Sequence, residues 1–125
     1  MKNFNYQSQV PEAAVADLCA ALRGVALQPR DAHYDDARAV WNAMIDRRPA
    51  LIVRALGTSD VIAAVAFARE HRLEIAVKGG GHNVAGSAVC DRGLMLDLSE
   101  MISVRVDREH KTARVEPGAL INDLD

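Results

Sequence analysis

Three consecutive glycines, Gly79, Gly80 and Gly81, follow the apolar run at 73–77 after a single lysine, Lys78. They constrain the fold more than any other stretch. Each glycine weakens a helix by about 1 kcal/mol relative to alanine and offers a strand no side chain to pack. The chain must therefore leave regular structure here. Without Cβ atoms the backbone can take positive φ and approach a ligand closely. Successive exposed N–H groups then make a concave site for an anion such as a pyrophosphate. The full segment reads Lys78, Gly79, Gly80, Gly81, His82, Asn83, Val84, Ala85, Gly86, Ser87, with Lys78 expected to add charge at the rim.

Neither of the two familiar phosphate loops fits. A Walker A loop requires GxxxxGK[ST]; Gly81 and Gly86 have the spacing, but Ser87 and Ala88 stand where Lys and Ser/Thr belong. A dinucleotide fingerprint requires GxGxxG; Gly79 and Gly81 fit, but Val84 takes the third glycine position. A plain flexible connection between strands is the competing reading. His82 is singled out by its place at the end of the glycine run. His33, His71 and His110 lie on unrelated segments, so no metal set is indicated. An imidazole at this point would lie beside a bound pyrophosphate cofactor, suited to act as nucleophile or proton carrier.

The surrounding pattern indicates strands and helices in alternation. Pro11 and Glu12 open a helix in which Val15, Leu18, Cys19 and Leu22 recur at helical spacing, stopped by Arg23 and Gly24. A loop spans 29–36, and 36–42 suggests a short helix with Val40 and Trp41 turned inward. Leu51, Ile52 and Val53 form a buried strand, followed by a turn with an N-cap around Asp60. A helix over 61–72 follows, with Ile62, Val65 and Ala66 on one side and Arg69, His71 and Arg72 at its C-terminal end. With the strand at 73–77 this makes a parallel βαβ unit. A third strand covers 94–98. The segments 102–106 and 112–115, around a polar turn at 107–111, indicate an antiparallel hairpin with Ile102, Val104 and Val106 inward. Pro117 and Gly118 close it, and a helix starts over 119–124. Residues up to Gln9 are polar, as fraying ends are.

Composition narrows the class. The chain has 125 residues, is 50% hydrophobic and 26% charged, and carries a formal net charge of −2. That is globular composition rather than disordered. The longest uncharged apolar runs fall well short of the roughly 20 residues a bilayer span needs, so no membrane association is expected. A slightly acidic balance gives no general attraction for nucleic acid. Cys19 and Cys90 are far apart, which argues against a disulfide framework, and no secretory signal is visible; both favour the cytoplasm.

The run VKGGGHNVAG, preceded by ALIVRALGTSDVIAAVAFARE and followed by GLMLDLSEM and ARVEPGA, closely resembles the FAD-binding (PCMH-type) domain of the vanillyl-alcohol-oxidase superfamily. Within it the chain is most similar to bacterial berberine-bridge-enzyme-like oxidoreductases, over residues 34–125. The resemblance implies an α+β fold with an α/β start: a small parallel βαβ subdomain with flanking helices, to about residue 98, then the first hairpin of a second sheet over 99–125. Residues 1–35 would form an N-terminal helix and loop, and 36–125 a partial FAD-binding domain. It implies FAD as cofactor, held by Lys78, Gly79, Gly80, Gly81, His82, Asn83 and Gly118. His82 matches the histidine bonded in many members to the flavin 8α-methyl carbon, a bond that anchors the flavin and raises its reduction potential.

The resemblance also sets expectations for activity. Members oxidise alcohol, sugar or amine-like donors. A second covalent link that some members make to a cysteine has no counterpart, since neither Cys19 nor Cys90 occupies that motif. The substrate domain and its base are not recognised either. No residue here is expected to be catalytic, a small-molecule substrate belongs only to a full-length context, and the piece alone is expected to be inactive. Arg54, Asp60, Asp91 and Asp97 read as caps, turns and solvated charges, with Asp97, Leu98 and Ser99 shaping a strand end. Two competing functions stand beside flavin binding. One is a non-catalytic remnant that binds itself, as a homo-oligomer, or a partner. The other is a nucleotide-binding domain for a different pyrophosphate ligand.

Overall fold

The computed structural model describes residues 10–123. The polar start up to Gln9 and Leu124 of the expected last helix lie outside the described residues. The elements in chain order are α1 (Glu12–Ala21), β1 (Val25–Leu27), α2 (Tyr34–Arg38), β2 (Leu51–Arg54), α3 (Thr58–Glu70), β3 (Ile75–Lys78), β4 (Leu94–Asp97), β5 (Val104–Asp107) and β6 (Thr112–Val115), with a final 3₁₀ turn at Ile121–Asp123. The fold is α+β. One sheet runs β1-β2-β4-β3, with β2, β4 and β3 parallel and β1 antiparallel to β2; the second sheet is the antiparallel pair β5-β6.

The expected βαβ unit is present with one refinement. β4 slots between β2 and β3, so the two strands joined by α3 are parallel but not neighbours. β4 is buried along its whole length, as a central strand covered on both faces must be. Leu51, Val53, Leu94 and Leu96 face α1 and α3, meeting Val15, Leu18, Ala64, Phe67 and Ala68. Ile52 and Met95 face the other way, onto Tyr34 and Ala37 of α2 and Val89 of the loop between β3 and β4. Each wholly buried aliphatic side chain in these strands stabilises by roughly 1.5–3 kcal/mol relative to exposure. Tyr34, which the sequence places in a loop, is buried, and its hydroxyl donates to the Pro49 carbonyl at 2.6 Å.

Expectations about facing are refined or corrected. In α3 the side shared by Ile62, Val65 and Ala66 is the exposed one, with Ile62 65% exposed, while Asp60, Ala64, Phe67 and Ala68 face inward. Both faces of this helix are apolar, so periodicity alone did not decide between them. Trp41 is 66% exposed rather than inward, because the short helix ends at Arg38 with Ala39 extended. Cys19 is exposed. Of the hairpin residues expected inward, only Val104 is partly buried; Ile102 and Val106 are exposed. The expected helix after residue 118 is, in the described residues, only a 3₁₀ turn.

Gly24 is no left-handed cap: α1 stops at Leu22 in extended backbone. Its lack of a Cβ is required by the Arg54 carbonyl oxygen, which a Cβ would meet at 2.0 Å. Asp60 is neither cap nor solvated charge, since Gly57 holds the N-cap position and Asp60 is fully buried. Its carboxylate accepts the N–H groups of Arg23 at 2.8 Å, Gly24 at 2.9 Å and Leu56 at 2.9 Å, tying the α1–β1 turn to the β2–α3 turn. Asp97 is likewise fully buried, and its ion pair with Arg54 closes at 3.0 Å.

Burial pushes the Asp60 carboxyl up, but the three backbone hydrogen bonds outweigh it and hold the group below its ordinary range. A lowered folded value adds stability above the unfolded value, and that stability is lost as pH falls through the folded one. Asp60→Asn places an amide N–H against backbone donors. It is expected to cost about 3 kcal/mol in urea unfolding and to flatten the loss of stability below about pH 4.

Candidate cofactor site

The C-terminal ends of the parallel strands are where ligands bind in open α/β sheets. Here β2, β4 and β3 end in register at Arg54, Asp97 and Lys78. The glycine loop leaves β3 at this edge, and the chain leaving β4 is fastened beside it by the Leu98 N–H, which donates to the Lys78 carbonyl at 2.8 Å. Between the two exits lies an open concavity of about 580 Å³. Lys78, Gly79, Gly80 and His82 form one wall, and Ser99, Ile102, Gly118, Leu120 and Asp123 the other.

Two glycines set how closely the walls approach. A Cβ on Gly79 would stand 2.6 Å from the Pro117 carbonyl oxygen. One on Gly118 would meet the carbonyl oxygens of Leu98, Ser99 and Met101 at 2.3, 2.7 and 2.8 Å, and the Gly118 N–H donates to Met101. Both are backbone contacts that no side chain can relieve. Gly81 takes φ +73°, the left-handed region that favours glycine. The N–H groups of Gly80, Gly81, His82 and Asn83 meet no acceptor among the described residues. Of these residues, Gly80 and His82 line the concavity. Donors of this kind on a wall with Cβ-free Gly79 and Gly80 suit a diphosphate's oxygens. The residues therefore fit a pyrophosphate cofactor.

The structure brings five of the seven expected site residues into this one concavity: Lys78, Gly79, Gly80, His82 and Gly118. Lys78 does not offer a free charge at the rim. Its ammonium donates to the carbonyls of Ala39 at 3.0 Å and Ala37 at 3.4 Å, holding the end of α2. Gly81 is buried beneath the wall. Asn83 lies further along and closes a turn: its carbonyl accepts from Gly86 N–H at 3.1 Å, and its side-chain oxygen from Ser87 N–H at 3.4 Å. The exposed His82 ring lies 6.2 Å from the Trp41 ring, centroid to centroid. Asp97 shapes the strand end as expected, accepting the Ser99 N–H at 3.0 Å. Among the described residues no His/Cys/Asp/Glu group could hold a metal ion, and no helix is long and apolar enough to cross a membrane.

The frame that holds the loop was not visible in the sequence. Trp41 N–H donates to the Gly81 carbonyl at 2.9 Å, and the Asn42 amide to the Val84 carbonyl at 3.0 Å. Arg47 donates to the carbonyls of Gly86 at 2.8 Å and Val89 at 3.1 Å. The Arg48 N–H donates to the Asp91 carboxylate at 2.7 Å. All these partners are about forty residues apart, and no local pattern marks them.

Comparison with known proteins agrees with this geometry. A family described as FAD binding domain matches residues 49–125. The chain is 36% identical over 104 residues to (R)-6-hydroxynicotine oxidase of Paenarthrobacter nicotinovorans, covering 83% of this chain and 23% of that protein. It is 35% identical over 112 residues to an FAD-linked oxidoreductase of Dictyostelium discoideum, covering 89% and 24%. Among solved structures, 6-hydroxy-D-nicotine oxidase from Arthrobacter nicotinovorans superposes with a TM-score of 0.78 at 37% identity, over 82% of this chain and 23% of that one. The chain thus spans about a quarter of the length of the curated relatives it matches.

Removing the Arg47 clamp should loosen the loop without unfolding the sheet. In Arg47→Ala, amide exchange over residues 84–90 is expected to rise about tenfold or more, while exchange in β4 stays unchanged. Hydrogen exchange with mass detection checks this.

Proposed function

This chain belongs to the FAD-binding domain family, that of the vanillyl-alcohol-oxidase and berberine-bridge-enzyme-like flavoenzymes, and we propose that its glycine loop grips the FAD diphosphate while His82 anchors the flavin covalently. FAD is the cofactor of this domain. The observation that carries the proposal is the pair of N–H donors at Gly80 and His82, on a wall brought close to its opposite by Gly79 and Gly118. These N–H groups bind phosphate oxygens, and the missing Cβ atoms let the diphosphate reach them. Lys78 and Arg47 hold the ends of the loop so that its donors are already in place. The imidazole of His82 lines the same concavity at the end of the glycine run; its nitrogen would bond the flavin 8α carbon in place of one C–H hydrogen, the proton passing to water and the two electrons through the flavin to dioxygen.

When bound, FAD supplies two-electron oxidation. In the whole protein we assign this to alcohol, sugar or amine-like donors, as the family's chemistry suggests. The segment alone holds flavin and oxidises no donor. The charged side chains lining the concavity are already committed: Lys78 to two carbonyls, and Asp123 to the Leu120 N–H at 2.6 Å.

A second reading has its own support. The β5–β6 hairpin is exposed apart from the partly buried Val104, including its Val106 and Val115, and Ile102, Leu120 and Ile121 are exposed beside it. Open edges with apolar neighbours favour self-association.

Titration of the purified chain with FAD, followed by intact mass under denaturing conditions, tests the first reading. The expected result is a mass gain of one FAD in the wild type. In His82→Ala that gain is lost, while reversible FAD binding, followed by flavin fluorescence, remains. A chain that takes up no FAD but sediments as a dimer would establish the second reading instead.

A further inference from the structure

Gly79, Gly80 and Gly81 differ in what excludes a side chain from them. At Gly79 the obstacle is the Pro117 carbonyl oxygen, and at Gly81 the backbone takes positive φ. Gly80 has neither constraint. Its φ is not positive, and the only atoms near a Cβ there belong to His82: Cδ2 at 2.9 Å and Nε2 at 3.5 Å. The space left by Gly80 is thus filled by the imidazole of the residue two places on.

The same ring meets Trp41, with centroids 6.2 Å apart and planes tilted by 38°, inside the range at which aromatic pairs attract. Trp41 is the chain's single tryptophan, and its side chain is exposed. Its backbone is nonetheless held on both sides and at its centre. Lys78 grips the Ala39 carbonyl, the Trp41 N–H reaches the Gly81 carbonyl, and the Asn42 amide reaches the Val84 carbonyl. The Trp41 backbone is thus held beside the glycine loop, and the indole and imidazole rings meet across it. An exposed histidine without such neighbours would sample all its rotamers.

We propose that Gly80 and Trp41 form a slot that positions the His82 imidazole, Gly80 by leaving room for the ring and Trp41 by packing against it. This rests on the reading of His82 as the flavin anchor for its purpose, but not for its geometry. Trp41 and Gly80 are positioning residues: they act through His82.

The test uses proton resonances of the His82 ring in the flavin-free 125-residue chain, assigned by comparison with His82→Gln. In the wild type the ring protons are expected to carry a ring-current shift. Trp41→Leu removes it, and Trp41→Phe restores part of it. Gly80→Ala moves the same resonances while the thermal midpoint and circular dichroism stay as in the wild type, because only a side-chain end must give way. Gly79→Ala, which meets backbone, lowers the midpoint. Unchanged His82 resonances in both Trp41→Leu and Gly80→Ala would overturn the slot, as would a Gly80→Ala protein as destabilised as Gly79→Ala. A second arm follows covalent FAD uptake by intact mass. Attachment is expected to slow about 100-fold in Gly80→Ala, the cost of displacing a reacting group by about 1 Å. A wild-type chain that takes up no flavin overturns the functional reading alone, and the resonances still decide the slot.

Discussion

The structure depends on one topological demand. β4 must run parallel to β3 and sit between β3 and β2, so the chain leaving β3 has to return the full length of the sheet. Parallel neighbours ordinarily make that return through a helix, which satisfies its own backbone. Here residues 79–93 make it as irregular chain. Such a crossing leaves N–H and C=O groups that no ladder takes up. Some are met from outside, by the Trp41 N–H, the Asn42 amide, the Arg47 guanidinium and the Arg48 carbonyl, some pair within the crossing, and those of Gly80 and His82 are left at the concavity. The site is the part of the crossing that the frame does not use.

The frame in turn is rooted in the core. Val89 of the crossing packs with Tyr34, Ala37, Ile52 and Met95, and Ile45 and Val40 lean on the same cluster. A Cβ on Gly86 would strike the Ile45 side chain at 2.8 Å, so crossing and frame are already in contact without it. Burial of the crossing's far end fixes where its near end, the glycine run, can lie. On the opposite face Asp60 performs a comparable task for the turns, joining three backbone donors that belong to two separate connections.

What the sequence disclosed follows physical range. The strands at 51–54, 75–78 and 94–97, the helix through 61–70 and the hairpin were legible because hydrophobic period and turn chemistry are local. The glycine run was legible because three absent Cβ atoms have few other uses. Facing was less so. α3 has apolar residues on both sides, and only contact with α1 and the sheet chooses Ala64 and Phe67 over Ile62 and Val65. β1, three residues long, carries too short a pattern to mark a strand. Asp60 and Asp97 read as caps, turn residues or solvated charges because Arg23, Gly24 and Arg54, which bind them in the core, arrive from distant segments. The same distance concealed the role of Lys78, whose partners lie on the end of α2.

The β5–β6 hairpin is stitched at its root. Its outgoing strand leaves through Ser99 and Met101, and its returning strand arrives through Glu116 and Gly118; the two are stitched by Glu116 N–H to Ser103 and Gly118 N–H to Met101. That root is also one wall of the concavity, with Pro117 against Gly79. The hairpin is therefore rooted in the wall of the concavity itself. Anything that adds to its open strands bears on the place where a hydrogen atom on Gly118 separates three carbonyl oxygens from collision.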